Sequence, residues 1–218
     1  MESRDEYVAR TAQLAQFSLY GIVPAWNPGT KDIDGFIHDE VVRQGHDPTI
    51  GKDGGVRISW MKNAWNYAQE HAREDITEHH ILQVASRVEP GMNSSVGYRT
   101  TGVYIGRSKG APARLLRPLM KALVARAPSV SRVLGKRGPH PDAYRVLWDG
   151  FLSEQSTAQA VIEKMRQIKT ADDWYLAFEA IHPFSDGNGR TGKILHNWLH
   201  RTLNDPVLVA DYFGGGNP

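Results

Sequence analysis

The sequence predicts an all-α protein, mainly helical, carrying one short β-hairpin. Apolar residues recur at helical spacing in stretch after stretch, only one segment has strand composition, and there is no cysteine from which to build a disulfide scaffold. The 218 residues suffice for one domain with elaborations, placed as a single unit over 1–218. Its core spans about residues 57–204, with an N-terminal elaboration over 1–56 and a loose tail over 205–218. No apolar run approaches the ~20 residues of a membrane span, and Met1 to Glu6 lacks a signal-peptide core. With no cysteine as well, the expectation is a cytoplasmic protein that does not engage a membrane.

The first helix is expected over about Asp5–Tyr20, with Tyr7, Thr11, Leu14, Ala15 and Ser18 on one side, ended by Gly21 to Pro28. Asp32 to Gly55, rich in Gly and Asp, reads as loop or short helix. Helical spacing returns from Arg57 to Arg73 through Trp60, Met61, Ala64, Trp65 and Ala68, with both tryptophans assigned to core packing. Thr77 is the expected N-cap of a helix that turns Ile81, Leu82, Ala85 and Val88 inward. Gly97 to Gly106 is the β segment, because β-branched and aromatic residues dominate it and glycines mark its breaks. Pro112 and Pro118 then lead a helix through Leu119, Met120, Leu123 and Val124. Asp142 is expected to cap another through Tyr144, Leu147 and Trp148. A further helix over about Ala158–Lys169 has Val161, Ile162, Met165 and Ile168 inward. Asp172 and Asp173 start the next, which runs through Trp174, Ala177, Phe178 and Ile181 to His182. The last reads from Thr191, with Ile194, Leu195, Trp198 and Leu199 on one side, and ends by Asp205-Pro206.

Net charge is only +2, but there is no Asp or Glu between Pro90 and Pro141. That span carries Arg99, Arg107, Lys109, Arg114, Arg117, Lys121, Arg126, Arg132, Lys136 and Arg137, with a basic loop at Gly135–Pro141. Such an excess attracts an acidic partner surface or a phosphate backbone; balanced by acidic segments elsewhere, it is a solvated face. His196 and His200, four apart on the last helix, have a spacing that suits a metal. No glutamate follows the first of them and no third ligand is evident in sequence, so they are read as surface or packing histidines.

Chemistry concentrates in His182-Pro183-Phe184-Ser185-Asp186-Gly187-Asn188-Gly189-Arg190-Thr191-Gly192-Lys193. The stretch combines a base that titrates near neutral pH in its ordinary state, a carboxylate, two glycines around an asparagine, and two cations three positions apart. Glycine lets backbone N–H groups approach an anion, and successive N–H groups in such a turn form a concave nest. Where the nest opens into a helix N-terminus, the dipole favours negative charge as well. Taken singly, each residue also has a plain reading as a turn or a solvated face. Their joint occurrence is what points to phosphate chemistry.

This stretch resembles the signature of the Fic family, His-x-Phe-x-Asp/Glu-Gly-Asn-Gly-Arg-x-x-Arg, departing from it only at Lys193. The resemblance implies a mostly helical Fic, or Fido, domain that transfers AMP from ATP to a Ser, Thr or Tyr hydroxyl of a target protein. It implies His182 as general base and Asp186 as the Mg²⁺ ligand. Gly187, Asn188 and Gly189 would cradle the phosphates, with Arg190 and Lys193 on the distal ones. It further implies that a hairpin flap, here Val103, Tyr104 and Ile105, pairs with an extended segment of the target. Strand addition of this kind supplies main-chain hydrogen bonds and demands little of the target's sequence. In the family a restraining helix bears Ser/Thr-x-x-x-Glu-Gly/Asn. No glutamate here is followed by Gly or Asn, which implies an inhibitor protein in trans or an open site.

Lysine offers a compact charge where arginine offers a planar fork, so Lys193 bears on nucleotide preference. A related branch, Doc, performs phosphoryl transfer with its basic residues moved within the loop. Gly189-Arg190 here follows the adenylylating pattern. Phosphotransfer or another nucleotidyl transfer is the alternative within the same chemistry. A non-catalytic nucleotide-binding or adaptor protein, acting through the basic face, is the alternative of another class; nucleic acid is not an expected partner, though a basic face leaves it open.

Overall fold

The computed structural model describes residues 32–46, 52–105, 108–130 and 157–207. The helix expected over 5–20, the basic loop at 135–141, the helix begun by Asp142 and the tail beyond 207 lie outside them. Among the described residues there are seven α-helices: α1 (Ile33–Arg43), α2 (Lys52–Glu70), α3 (Glu78–Val88), α4 (Leu116–Val130), α5 (Ala158–Lys164), α6 (Ala171–Ile181) and α7 (Asn188–His200). A two-stranded antiparallel ribbon, β1 (Tyr104–Ile105) with β2 (Ser108–Lys109), stands between α3 and α4, pairing Tyr104 with Lys109 and Ile105 with Ser108. The chain is thus mainly helical, as expected.

Local chemistry explains the boundaries. Thr77 caps α3 by accepting the His80 N–H, while the His80 ring reaches back to the Thr77 N–H. Thr170 does the same for α6 with Asp173, so that helix starts from a capping box rather than from its aspartates alone. The Asp32–Gly55 region is more helical than its composition suggests. Asp32 caps α1 by accepting the Asp34 N–H, and Ile33, Phe36, Ile37 and Val41 lie at helical spacing against the core. The strand expected over 97–106 shrinks to Tyr104–Ile105, preceded by an isolated bridge between Ser94 and Gly97. The expected helix over 158–169 is α5 followed by a 3₁₀ turn at Met165–Gln167, with Val161, Met165 and Ile168 buried.

The core lies around α7, which packs against α2, α3 and α6; α4 packs on α6, and α1 on α2. Residues 190–199 of α7 are all buried, as suits a helix surrounded by others rather than lying on a surface. Three fully buried tryptophans fasten the layers, each ring in the core and each indole N–H on a distant carbonyl. Trp65 donates to Leu203 O at 3.0 Å, Trp174 to Leu123 O at 2.9 Å and Trp198 to Glu74 O at 3.2 Å. No helix among the described residues is long and apolar enough to cross a membrane.

A charged pair between α7 and α1 is buried in this core. Lys193 of α7, 3% exposed, holds Glu40 of α1, fully buried, at 2.5 Å, and Arg43 approaches the other Glu40 oxygen at 3.3 Å. Removing one member of such a pair strands its partner's charge away from water. Glu40→Ala is therefore expected to lower unfolding free energy by about 3–5 kcal/mol, read from the midpoint and slope of urea denaturation. A loss below about 1 kcal/mol, the range of surface pairs, would mean that Lys193 reaches water.

Candidate active site

The site is the turn between α6 and α7. His182 ends α6 in the left-handed conformation, φ 51° and ψ 63°, with its N–H still donating to Phe178 O at 2.9 Å. A non-glycine residue holds that conformation only against a steric cost of about 1–2 kcal/mol. Its environment supplies the compensation. Arg99, 7% exposed, donates from Nε to His182 O at 2.7 Å and from Nη2 to Ala111 O at 2.6 Å and Ile181 O at 3.3 Å. Its Nη1 donates to Thr101 O at 2.5 Å, and its own backbone N–H donates to Pro183 O at 3.1 Å. One guanidinium thereby ties both sides of the ribbon's base to the turn between α6 and α7. Burial lowers its pKa from the ordinary arginine value, yet the group remains charged.

This corrects the reading of the basic segment. Arg99 is an internal brace and adds nothing to a basic face. Arg126 also spends hydrogen bonds inward, donating to Ile168 O at 2.7 Å. Arg114, Arg117 and Lys121 are exposed, while Arg132, Lys136 and Arg137 lie outside the described residues.

The His182 ring is oriented by its Nδ1, which lies 3.3 Å from Glu179 O. A carbonyl can only accept, so Nδ1 carries the proton and Nε2 keeps its lone pair. Burial is the main influence on the ring and lowers its pKa to about 4; the Glu179 carbonyl and Asp186 oppose the shift, and Arg99 adds to it. The imidazole is consequently neutral throughout the physiological range rather than titrating near neutrality.

Beyond it, Asn188 closes the loop on itself. Its Oδ1 accepts the Phe184 N–H and its Nδ2 donates to Phe184 O, both at 2.9 Å. Phe184 is 1% exposed and packs with Tyr98 and Phe178. Gly187 adopts φ 70°, and a Cβ there would meet Val88 Cγ1 at 2.9 Å, so both its backbone and its surroundings require glycine. Helix α7 begins at Asn188, three residues earlier than Thr191, and no side chain caps it. The Gly-Asn-Gly-Arg stretch is therefore the first turn of a helix, with its dipole and backbone donors directed at the loop.

Asp186 accepts the Gly187 N–H at 2.6 Å and keeps its side chain 40% exposed, with Arg57 at 3.7 Å and Arg190 at 3.8 Å. Arg190 is fully buried: it donates to Glu89 Oε2 at 2.8 Å, Val88 O at 3.4 Å and Gln44 Oε1 at 3.0 Å. Glu89, itself buried, is also bound by Arg57. Both motif cations are thus engaged by carboxylates, Arg190 by Glu89 and Lys193 by Glu40. Arg57, Gln44, Glu89 and Arg99 complete the site, and nothing in their local sequence announces them.

The ribbon abuts this turn through Gly110, whose N–H donates to Val103 O at 3.0 Å. Val103 is half-buried and Tyr104 is 69% exposed; of the Ile105 side chain nothing is described. A Cβ on Gly110 would lie 3.0 Å from Val103 Cγ2, 3.2 Å from Arg99 Nη2 and 3.3 Å from His182 Cβ. Among the described residues, nothing stands within 4 Å of one on Gly102.

These features define a helical protein whose inter-helix loop brings an imidazole, an exposed carboxylate and an uncapped helix N-terminus together. The Fic/DOC family model matches residues 73–200, more than half of the chain and every element from α3 to α7. The chain belongs to the Fic/DOC family, whose members commonly transfer AMP or other nucleotide-derived groups.

Gly110→Ala is expected to cost about 1–3 kcal/mol by crowding the brace and the His182 turn, whereas Gly102→Ala should stay within about 0.5 kcal/mol. Equal effects in chemical denaturation would show that the ribbon's base does not press on His182.

Proposed function

We propose that the protein transfers AMP from ATP to a Ser, Thr or Tyr hydroxyl of a target protein. The observation that carries this reading is the His182 tautomer, with Nδ1 bound to the Glu179 carbonyl and Nε2 left as a base, beside an uncapped helix N-terminus. A binding protein needs the second feature but not the first.

In this mechanism Nε2 of His182 takes the proton of the target hydroxyl as its oxygen bonds to the α-phosphorus. The bond from that phosphorus to the bridging oxygen breaks, and pyrophosphate leaves. Proton transfer to a positioned base contributes roughly 10²- to 10⁴-fold. The N–H groups at the start of α7 are the donors suited to the phosphates. Asp186 fits Mg²⁺, being a partly exposed carboxylate at the mouth of the loop, and such ions are commonly held by one or two carboxylates plus substrate phosphates. When bound, Mg²⁺ would neutralise charge on the departing pyrophosphate. Arg190 and Lys193 contribute positive potential from beneath the loop; direct contact with a distal phosphate would require them to exchange Glu89 and Glu40 for it. The ribbon, with Val103 leading into it, Tyr104 and Ile105 as its first strand and Gly110 seated on His182, is the target-docking edge in this reading. The exposed Arg114, Arg117 and Lys121 on and just before α4 suit an acidic target surface.

Labelled ATP with Mg²⁺ and a lysate should yield a protein band that His182→Ala abolishes while ATP affinity changes little. Mass spectrometry of that band separates added AMP from phosphate. Because the His182 pKa is lowered, the ring stays a free base as pH falls through 6.5, the ordinary histidine value. The kcat/KM profile should therefore hold level from pH 8 to about 5 and then decline, since it reports the free enzyme's essential base. An acid limb centred at 6.5 would contradict a buried imidazole.

A further inference from the structure

The inner ends of α6 and α7 carry the loop chemistry; their outer ends carry a second cluster. Asp172 lies in the first turn of α6, and His196 and His200 lie in the last turns of α7. Asp172 Oδ1 is 2.5 Å from His196 Nε2 and 3.3 Å from His200 Nε2, and the two rings are 4.3 Å apart between centroids. One donor atom from each residue falls within 4.8 Å of the others. A single carboxylate oxygen thus faces two imidazole nitrogens, which aim at it from adjacent turns of one helix.

We propose that Asp172, His196 and His200 form a three-ligand site for a divalent transition-metal ion of the zinc type. Zinc takes imidazole nitrogen and carboxylate oxygen at about 2.0–2.2 Å, so tetrahedral donors stand roughly 3.3–3.5 Å apart. The Asp172–His200 separation already has that value, and the Asp172–His196 contact must open by roughly 1 Å. The His196 side chain is 1% exposed, whereas those of His200 and Asp172 are 16% and 15% exposed. A fourth ligand, water included, therefore has a way in from the His200 side. The donor set of two nitrogens and one oxygen favours zinc over magnesium or calcium, which prefer oxygen alone. The ion would staple the open end of the helix pair whose closed end is the catalytic turn.

A second trio, His71, Glu74 and His80, meets the same distance criterion, but a helix cap fixes the tautomer of one of its rings. His80 Nδ1 accepts the Thr77 N–H in the α3 capping box at 3.3 Å. That places the proton of neutral His80 on Nε2, the atom facing Glu74. Ligation there would undo the cap.

The test is titration of the full chain with Co²⁺ after dialysis against a chelator. We expect the visible ligand-field bands of tetrahedral cobalt, saturating at one equivalent and displaced by Zn²⁺. His200→Ala should weaken the site by more than the ~100-fold that losing an outer-shell partner costs; His71→Ala and Asp186→Asn should leave it intact. Zn²⁺ should raise the thermal midpoint of the wild type and not that of His200→Ala. Absent bands, or a weak six-coordinate spectrum, in the wild type overturn the proposal without any variant. Bands lost on His71→Ala assign the ion to the other trio, and bands lost on Asp186→Asn assign it to the nucleotide loop; either result also overturns it.

Discussion

The Arg99 guanidinium is the contact on which the site depends. It is a buried cation that the described hydrogen bonds join to four backbone carbonyls: His182, Ile181, Thr101 and Ala111. A buried charge is tolerable only when its hydrogen bonds are made, and here the acceptors are otherwise awkward groups. Ile181 and His182 end a helix, where carbonyls lack intrahelical donors; Thr101 and Ala111 flank a ribbon too short to pair them. Five donors in a fixed fork suit this task, whereas a lysine has one compact head. Arg99 thus fixes the left-handed His182 and the position of the ribbon together.

Beneath the loop lies a second layer of charge. Arg57 and Arg190 share Glu89, Asp186 stands beside both arginines, and Lys193 holds Glu40. Three of these partners, Glu40, Gln44 and Arg57, precede residues 73–200, the part matched by the family model. The underside of the loop between α6 and α7 is therefore completed by α1 and α2. Such pairs add little net stability because desolvation offsets their attraction, but they resist the loss of either member. They also hold cations close to the start of α7 without exposing them, so the field at the helix N-terminus is set by groups that do not themselves line its opening.

Much of the helical scaffold was legible because its signals are local. Thr77 caps α3, and the inward residues of α3 follow the 3.6-residue period, whereas α6 and α7 are buried nearly all round, on more than the one side their apolar spacing marks. Asn188 locks the loop by spending its amide on the Phe184 backbone, where the family resemblance assigns it to the phosphates. The failures have physical causes. Asp and Gly density hid α1, whose stability comes from a cap and four apolar contacts rather than propensity. The strand over 97–103 did not form because that backbone serves other partners: Arg99 N–H binds Pro183 O, and Thr101 O binds the guanidinium. Gly-Asn-Gly reads as a turn, yet a left-handed Gly187 lets the helix start directly after it. Arg99 was counted with a basic face because its carbonyl partners on the α6 turn lie more than 80 positions away. The same distance effect hid Asp172, 24 positions before His196, as the third member of its cluster.

The lowered His182 pKa follows from this construction and bears on how the base works. A ring that must be held in a left-handed turn, between a buried arginine and a helix-end carbonyl, cannot also be well hydrated. Desolvation favours its neutral form, which is the form a general base requires before reaction. The cost is a weaker base, since proton affinity falls with pKa. That cost diminishes once an anion occupies the loop, because negative charge near an imidazole stabilises its protonated form. In the proposed reaction the nucleotide's phosphates would raise the basicity of His182 when a proton is to be taken up, while the free protein keeps the ring neutral. Burial, with Arg99 adding to it, withholds protonation in the free loop, and the α7 N-terminus gathers the charge that would restore it.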